Sequence, residues 1–226
     1  MIIPLVAALL IGASPVDAER RQAAQPPPKE QPAKDPAINV NWLYGAYVPK
    51  EVPLEPLSGT DRRRLWTRQT FLTIGIYAKT GLFALWDQAN DEPPEWDKDV
   101  QGFGQRFASR YGQFMVQNSV SAAGNWALGY EPRYERCRCE GKWRRVRHAL
   151  VRNFVTYNST ERERRPQLAM YAGAWVGGIV ASTWKPAKDD IWEEGYGAML
   201  TQVGFGSLAN IVGEFAVEIG KLLGRK

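Results

Sequence analysis

The sequence predicts an all-α domain, a bundle of about four main Gly-rich helices behind a Pro-rich N-terminal tail. Three observations predict it. Four long runs carry little or no charge. Within them, small or polar residues recur every four positions, which is the spacing of one helix face. The charge is concentrated in the segments between the runs.

Each element follows from its residues. Residues 38–58 are apolar but punctuated by Pro49, Pro53 and Pro56, a pattern that packs as an extended strap. Thr60 or Asp61 is the expected N-cap of a first helical segment reaching about Trp86. Pro93 and Pro94 interrupt the chain in a strongly acidic segment. A second helix is expected over about 103–128. One of its faces is the polar row Gln105, Ser109, Gln113, Gln117, Ser121 and Asn125, and beside it runs the small row Gly104, Ala108, Gly112 and Val116. The third run, 166–184, has Pro166 at the expected first helical position and a row Ala169, Gly173, Gly177 and Ala181. The fourth, 195–213, continues into an amphipathic end in which Phe215, Ile219 and Leu222 alternate with Glu214, Glu218 and Lys221. Small residues four apart let helices approach closely in lipid or in water, so Gly104, Ala108, Gly112, Ala169, Gly173, Gly177 and Ala181 are the expected packing positions. An outer-membrane β-barrel is the rival architecture. The Gly- and aromatic-rich stretches 171–184 and 196–215 lack its two-residue alternation.

The N-terminus reads as an address. Residues 1–18 hold an apolar stretch of signal-peptide length ahead of Val16-Asp17-Ala18, a permissive cleavage site, although no Lys or Arg precedes it. Either the α-amino group supplies the charge or the true start lies upstream. Residues 19–37, with Pro26, Pro27 and Pro28 and no aromatic or branched apolar side chain, read as a disordered linker. Residues 38–226 then form a single helical domain.

Composition narrows the class. In 226 residues, 44% are hydrophobic and 23% charged, which excludes a wholly disordered or collagen-like chain. Two cysteines cannot staple a fold of this length. The 21 Gly and 9 Trp favour tight helix packing or contact with lipid. Charge between the runs alternates in sign: basic at 61–68, acidic at 87–101, strongly basic at 131–165 with 11 bases against 5 acids, and acidic at 185–194. Antiparallel helices would therefore have one basic and one acidic end. Two readings follow, a four-span membrane protein or a soluble bundle whose basic end meets an anionic surface. Insertion is opposed by Lys79, at about 2.5–3.5 kcal/mol if central, and by Gln113, Gln117, Asn118 and Asn125. A cleaved signal peptide would also leave the basic loops of a four-span chain outside the cytoplasm, against the positive-inside rule.

Candidate chemistry is sparse. Cys137 and Cys139, flanked by Arg136, Arg138 and Lys142, are either a structural pair, bridged or free, or a redox pair. With His148 they give only three metal ligands, without a zinc-finger spacing. His148 is the single histidine and lies among cations, which leaves most acid–base schemes without a partner. Glu214 and Glu218 read as a solvated face. No Walker loop, dinucleotide fingerprint or metalloprotease motif is present, so the sequence assigns no catalytic residue, metal or cofactor. The basic segment offers Arg133, Arg144, Arg145, Arg147 and Arg152 mixed with Trp143, Leu150 and Phe154, the composition of an interfacial helix. Anionic lipid is the expected partner of an exported chain, a protein partner is open, and nucleic acid is the alternative if the chain stays inside the cell.

The segment GFGQRFASRYGQFMVQNSVSAAGNWALGYEPRY, residues 102–134, resembles a recurring stretch of uncharacterised exported bacterial helical proteins. Those proteins continue with a basic Trp-containing segment, here KWRRVRHALVRNF, and a Gly-rich helix, so the resemblance covers roughly residues 67–215. It implies export and attaches no activity to any residue. The expectation is a non-enzymatic, membrane-associated or scaffolding protein of the cell envelope. An integral helical membrane component and a redox module are the alternatives.

Overall fold

The computed structural model describes residues 40–41, 45–48, 55–186 and 190–222. The expected signal peptide, the Pro-rich linker and much of the expected strap lie outside them. The described chain is mostly helical with little sheet. Its elements are β1 (Val40–Asn41), β2 (Gly45–Val48), α1 (Gly59–Phe71), α2 (Ile74–Asn90), α3 (Val100–Ala127), β3 (Tyr134–Glu135), α4 (Lys142–Phe154), β4 (Val155–Tyr157), β5 (Arg164–Pro166), α5 (Leu168–Ser182), α6 (Ile191–Glu214) and α7 (Ala216–Leu222).

The expected first helix is two. Ser58, rather than Thr60 or Asp61, caps α1: its hydroxyl accepts from the Asp61 amide at 3.1 Å and donates to the Asp61 carboxylate at 2.6 Å. The helix stops at Leu72 because side-chain hydroxyls take its last carbonyls. Thr70 donates to Trp66 O, Thr73 to Arg68 O and Tyr77 to Phe71 O. Asp99 and Asp190 cap α3 and α6 through the Gly102 and Trp192 amides at 2.7 and 2.8 Å. Pro166 does not open a helix. It ends β5, where Val155 stands opposite it in an antiparallel ladder that needs no amide from it. β2 pairs antiparallel with β1 and parallel with β3.

The interior is built on α5. One of its faces, Ala169, Gly173, Gly177 and Ala181, is buried against α3. The facing surface of α3 is the polar row, not the small one. A Cβ on Gly177 would lie 3.0 Å from Gln117 Cβ and 3.1 Å from Gln113 O, and one on Gly173 would collide with Ser121 and Gln117. Of the small row on α3, Gly104 and Ala108 are exposed and Gly104 has no neighbour within 4 Å. Gly112 does pack, beneath the Trp184 indole, with a Cβ position 3.3 Å away. Close packing thus lies along α5 and at Gly112 of α3, while Gly104 faces open space. A second face of α5, through Ala174 and Gly178, meets α6, where Gly195 lies under Trp175.

Helix contacts sort the charged segments to two ends. At one, Arg62 of α1 donates to Tyr130 O at 3.0 Å and Ser159 Oγ at 2.8 Å, and Tyr130 bridges Asn158. At the other, the 91–99 loop wraps Arg106, and Glu92 faces the same cavity as Lys185 and Glu193.

The largest fully buried side chains include Arg106, Arg133, Glu131, Glu214 and Asn153, whereas Leu82 and Trp86 of α2 are each 68% exposed. The outward side of α2 also carries exposed Ile74 and Leu85, and its one cation, Lys79, is turned inward. Among the described residues, no helix is long and apolar enough to cross a membrane.

Candidate functional site

The basic segment divides into an inner and an outer set, and α4 shows why. Residues 145, 149, 152 and 153 share the face turned to α6, where small Ala149 permits close approach and the Asn210 side chain reaches Ala149 O at 3.1 Å. Asn153 donates to Val203 O and Ser207 Oγ. Arg145 Nε donates to Glu214 at 3.1 Å and its Nη1 to Glu218 at 2.6 Å, while its guanidinium lies 4.2 Å from the Phe215 ring centre. The Glu218 bond raises the Arg145 pKa, against the effect of burial, and in return holds the Glu218 carboxyl down at about 2.

Three of the five arginines expected at the surface are thus turned away from it. Arg133 is buried and forked onto Glu131 at 2.7 and 2.8 Å, with a further bond to Glu55 O at 2.6 Å. Arg152 is buried against Tyr157, donates to Val155 O and Arg133 O, and has its pKa lowered by burial. Arg145 is committed to Glu214 and Glu218. Carboxylates take Arg133 and Arg145 inside the fold, Glu131 for the first and Glu214 and Glu218 for the second, while backbone carbonyls and the Tyr157 ring take Arg152.

Arg144 and Arg147 remain. Both are exposed, and neither forms an ion pair with any described residue. They share a contiguous strip of α4 with Trp143, 77% exposed, and with exposed Leu150, Val151 and Phe154. At 100° per residue, positions 143, 144, 147, 150, 151 and 154 fall within about a third of the helix circumference.

Glu214 is a hub that sequence reasoning took for a solvated carboxylate. It is 0% exposed. Its carboxylate accepts from Tyr134 Oη and from the Cys137 amide, both at 3.0 Å, and from Arg145. Arg136 and Arg145 also donate to its carbonyl. Burial and the neighbouring Glu214 charge push the Tyr134 pKa up. Cys137 and Cys139 are bonded to each other, and the bridged loop is fixed to α6 through Glu214. His148 sits beside Tyr134 and contacts Glu135 O at 3.0 Å.

At the opposite end, a cavity of about 370 Å³ lies between α2, α3 and α6. Arg110 is fixed there by two hydrogen bonds donated to the two Asp87 carboxylate oxygens, 2.6 Å each; burial lowers its pKa, but this pairing outweighs it and the net shift is upward. Lys185 is held by both oxygens of Glu194 at 2.7 and 2.8 Å. Lys79 has no such partner. Its ammonium faces the Phe83 and Phe205 rings at 5.8 and 5.7 Å and makes no hydrogen bond or ion pair with a described residue. Cation–π contacts of this kind give about 0.5–2 kcal/mol, while withdrawing an ammonium from water costs several. Burial accordingly lowers its pKa. The sequence marked Lys79 only as an obstacle to insertion; a lone cation in an apolar run is the feature that could have pointed to this cavity.

No family model, curated protein or solved structure matches the chain.

Proposed function

We propose that this is an exported, non-enzymatic protein of the cell envelope that binds an anionic membrane surface through the outer strip of α4. In this reading four Gly-rich helices form the working bundle and a Pro-rich tail tethers it. One observation carries the proposal. Arg144 and Arg147, without carboxylate partners, share a single exposed strip with Trp143, Leu150, Val151 and Phe154. An interfacial helix needs this composition: apolar side chains for the acyl boundary and cations for the head groups. Each arginine near an anionic surface is worth about 1 kcal/mol.

Flotation with vesicles tests it. The full chain should float with vesicles containing phosphatidylglycerol, less so with pure phosphatidylcholine, and salt should weaken the binding. The double variant Arg144→Glu/Arg147→Glu should bind at least about tenfold more weakly while its melting temperature stays near that of the parent. Unchanged flotation by the double variant would overturn the assignment.

The apolar flank of α2 favours a second reading, in which the chain is an integral component of a membrane assembly. Ile74, Leu82, Leu85 and Trp86 form an exposed patch of the kind that meets lipid or a partner. Extraction of cell envelopes separates the two. Release by salt or carbonate supports peripheral binding through α4, and release by detergent alone supports the integral component.

A further inference from the structure

The Cys137–Cys139 bridge joins residues two apart and ties no two elements together. A bridge over so short a loop removes little chain entropy from the unfolded state, so it is a poor staple. Its two sulfurs belong to residues in unlike surroundings. Cys137 is 8% exposed, and its amide is fixed to the buried Glu214 carboxylate at 3.0 Å. Cys139 is half-buried, and Arg138, Glu140 and Gly141 beside it in the loop are exposed. A thiol arriving from outside therefore meets Cys139 first. The Cys139 amide donates to Cys137 Sγ at 3.2 Å, which favours negative charge on that sulfur. Arg136 and Arg138 flank Cys137 in the chain, and the Glu214 charge behind it is met by Arg145 at 3.1 Å. An accessible sulfur bonded to one that can leave as a supported thiolate is the arrangement of an exchangeable disulfide.

We propose that this bridge is a two-electron redox couple that exchanges with a protein dithiol by attack at Cys139. One partner thiol, as its thiolate, attacks Cys139 Sγ; the bridge breaks, its electron pair leaves on Cys137 Sγ, and a mixed disulfide forms at Cys139. The second partner thiolate attacks the partner's sulfur in that mixed disulfide, which closes the partner's own disulfide and releases Cys139. The partner gives up two electrons and two protons, and Cys137 and Cys139 take them up as two thiols. The exchange is stoichiometric. Neither Arg144 nor Arg147 takes part, so it is independent of binding through the α4 strip.

Alkylation and mass spectrometry of the native full chain in glutathione buffers test it. The bridge should open in the folded protein at about 10 mM reduced glutathione. A bridge that stays closed under those conditions and opens only in denaturant would overturn the proposal. The oxidised chain mixed with a reduced two-cysteine peptide should yield one peptide disulfide per chain, and a peptide left reduced would overturn it as well. Single variants separate the sulfurs. Cys137→Ser, which leaves Cys139 free, should form a mixed disulfide with oxidised glutathione at least about tenfold faster than Cys139→Ser. Both variants should melt close to the parent, because the bridge ties no elements together. Equal rates, or faster reaction at Cys137, would overturn the assignment of Cys139 as the attacked sulfur.

Discussion

The buried arginines and the half-buried Lys79 are treated in opposite ways. Arg133 is enclosed by both oxygens of Glu131 and by a backbone carbonyl, and Arg106 at 0% exposure donates to five acceptors, four of them carbonyls of residues 92–97. Lys79 meets only two phenyl rings. Full pairing makes a buried cation structural, since removing either partner leaves the other uncompensated. A cation left without an acceptor gains only the weaker attraction of the rings beside it. The same distinction separates Arg145, paired with Glu214 and Glu218, from Arg144 and Arg147 within one helix.

The largest expected effect breaks the paired side. Glu214→Ala removes the acceptor for Tyr134, the Cys137 amide and Arg145 at once and leaves Arg145 with only Glu218 and the Glu214 carbonyl. A loss of about 3–5 kcal/mol is expected, as for other broken buried pairs. Urea unfolding measures it; a loss under about 1 kcal/mol would show the hub to be dispensable. Glu214→Gln should cost less, because the amide oxygen still accepts while the charge is gone.

Packing glycines give the next contrast. Gly177→Val would press a branched side chain into Gln117 and Gln113 on α3 and should cost about 1–3 kcal/mol or more. Gly104→Ala meets nothing within 4 Å in a helix interior and should stabilise by about 0.5–1 kcal/mol. If both glycines proved equally sensitive, the assignment of α5 rather than the start of α3 as the close-packed surface would fail.

That contrast also marks how far the sequence was legible. The uncharged runs announced the long helices, and the polar row from Gln105 to Asn125 was visible as a stripe. Which row faces which helix is a tertiary matter: the polar stripe turns inward because α5 offers glycines opposite it, and amide and hydroxyl groups tolerate that contact. The break at Leu72 depends on three hydroxyls reaching carbonyls, and the strands of two to four residues are too short to leave a period. The site was legible in composition and not in direction. Net charge placed Arg133, Arg144, Arg145, Arg147 and Arg152 together, but their partners decide which of them face water: the nearby Glu131 for Arg133, the distant Glu214 and Glu218 for Arg145, and backbone carbonyls for Arg152.

Lys79→Met sharpens the unpaired side. Replacing a half-buried charge that has no acceptor by an apolar side chain of similar length should raise stability by up to about 1 kcal/mol at neutral pH. The pH dependence has a definite sign. The lysine pKa is lowered by folding, so between its folded value and about 10.4 the unfolded chain binds the extra proton. The parent therefore gains stability on that side as pH rises, and the advantage of the variant shrinks. A variant less stable than the parent at neutral pH would mean that Lys79 has a stabilising partner after all.

The smallest effect belongs to Glu218, whose carboxyl is held at about 2 by its bond to Arg145. Its folded pKa lies below the ordinary value of about 4.3, so its contribution is fully present above that value and disappears as pH falls through about 2. The side chain is 47% exposed, and screening keeps the contribution below about 1 kcal/mol. Glu218→Gln should consequently melt slightly below the parent at about pH 6 and level with it at about pH 2. Added salt should narrow the gap at about pH 6, in contrast to Glu214→Ala, whose deficit comes from groups shielded from solvent and should persist at high salt. If salt erased both deficits alike, Glu214 would be acting as a surface charge, and the division between an internal arginine set and an exposed one would lose its basis.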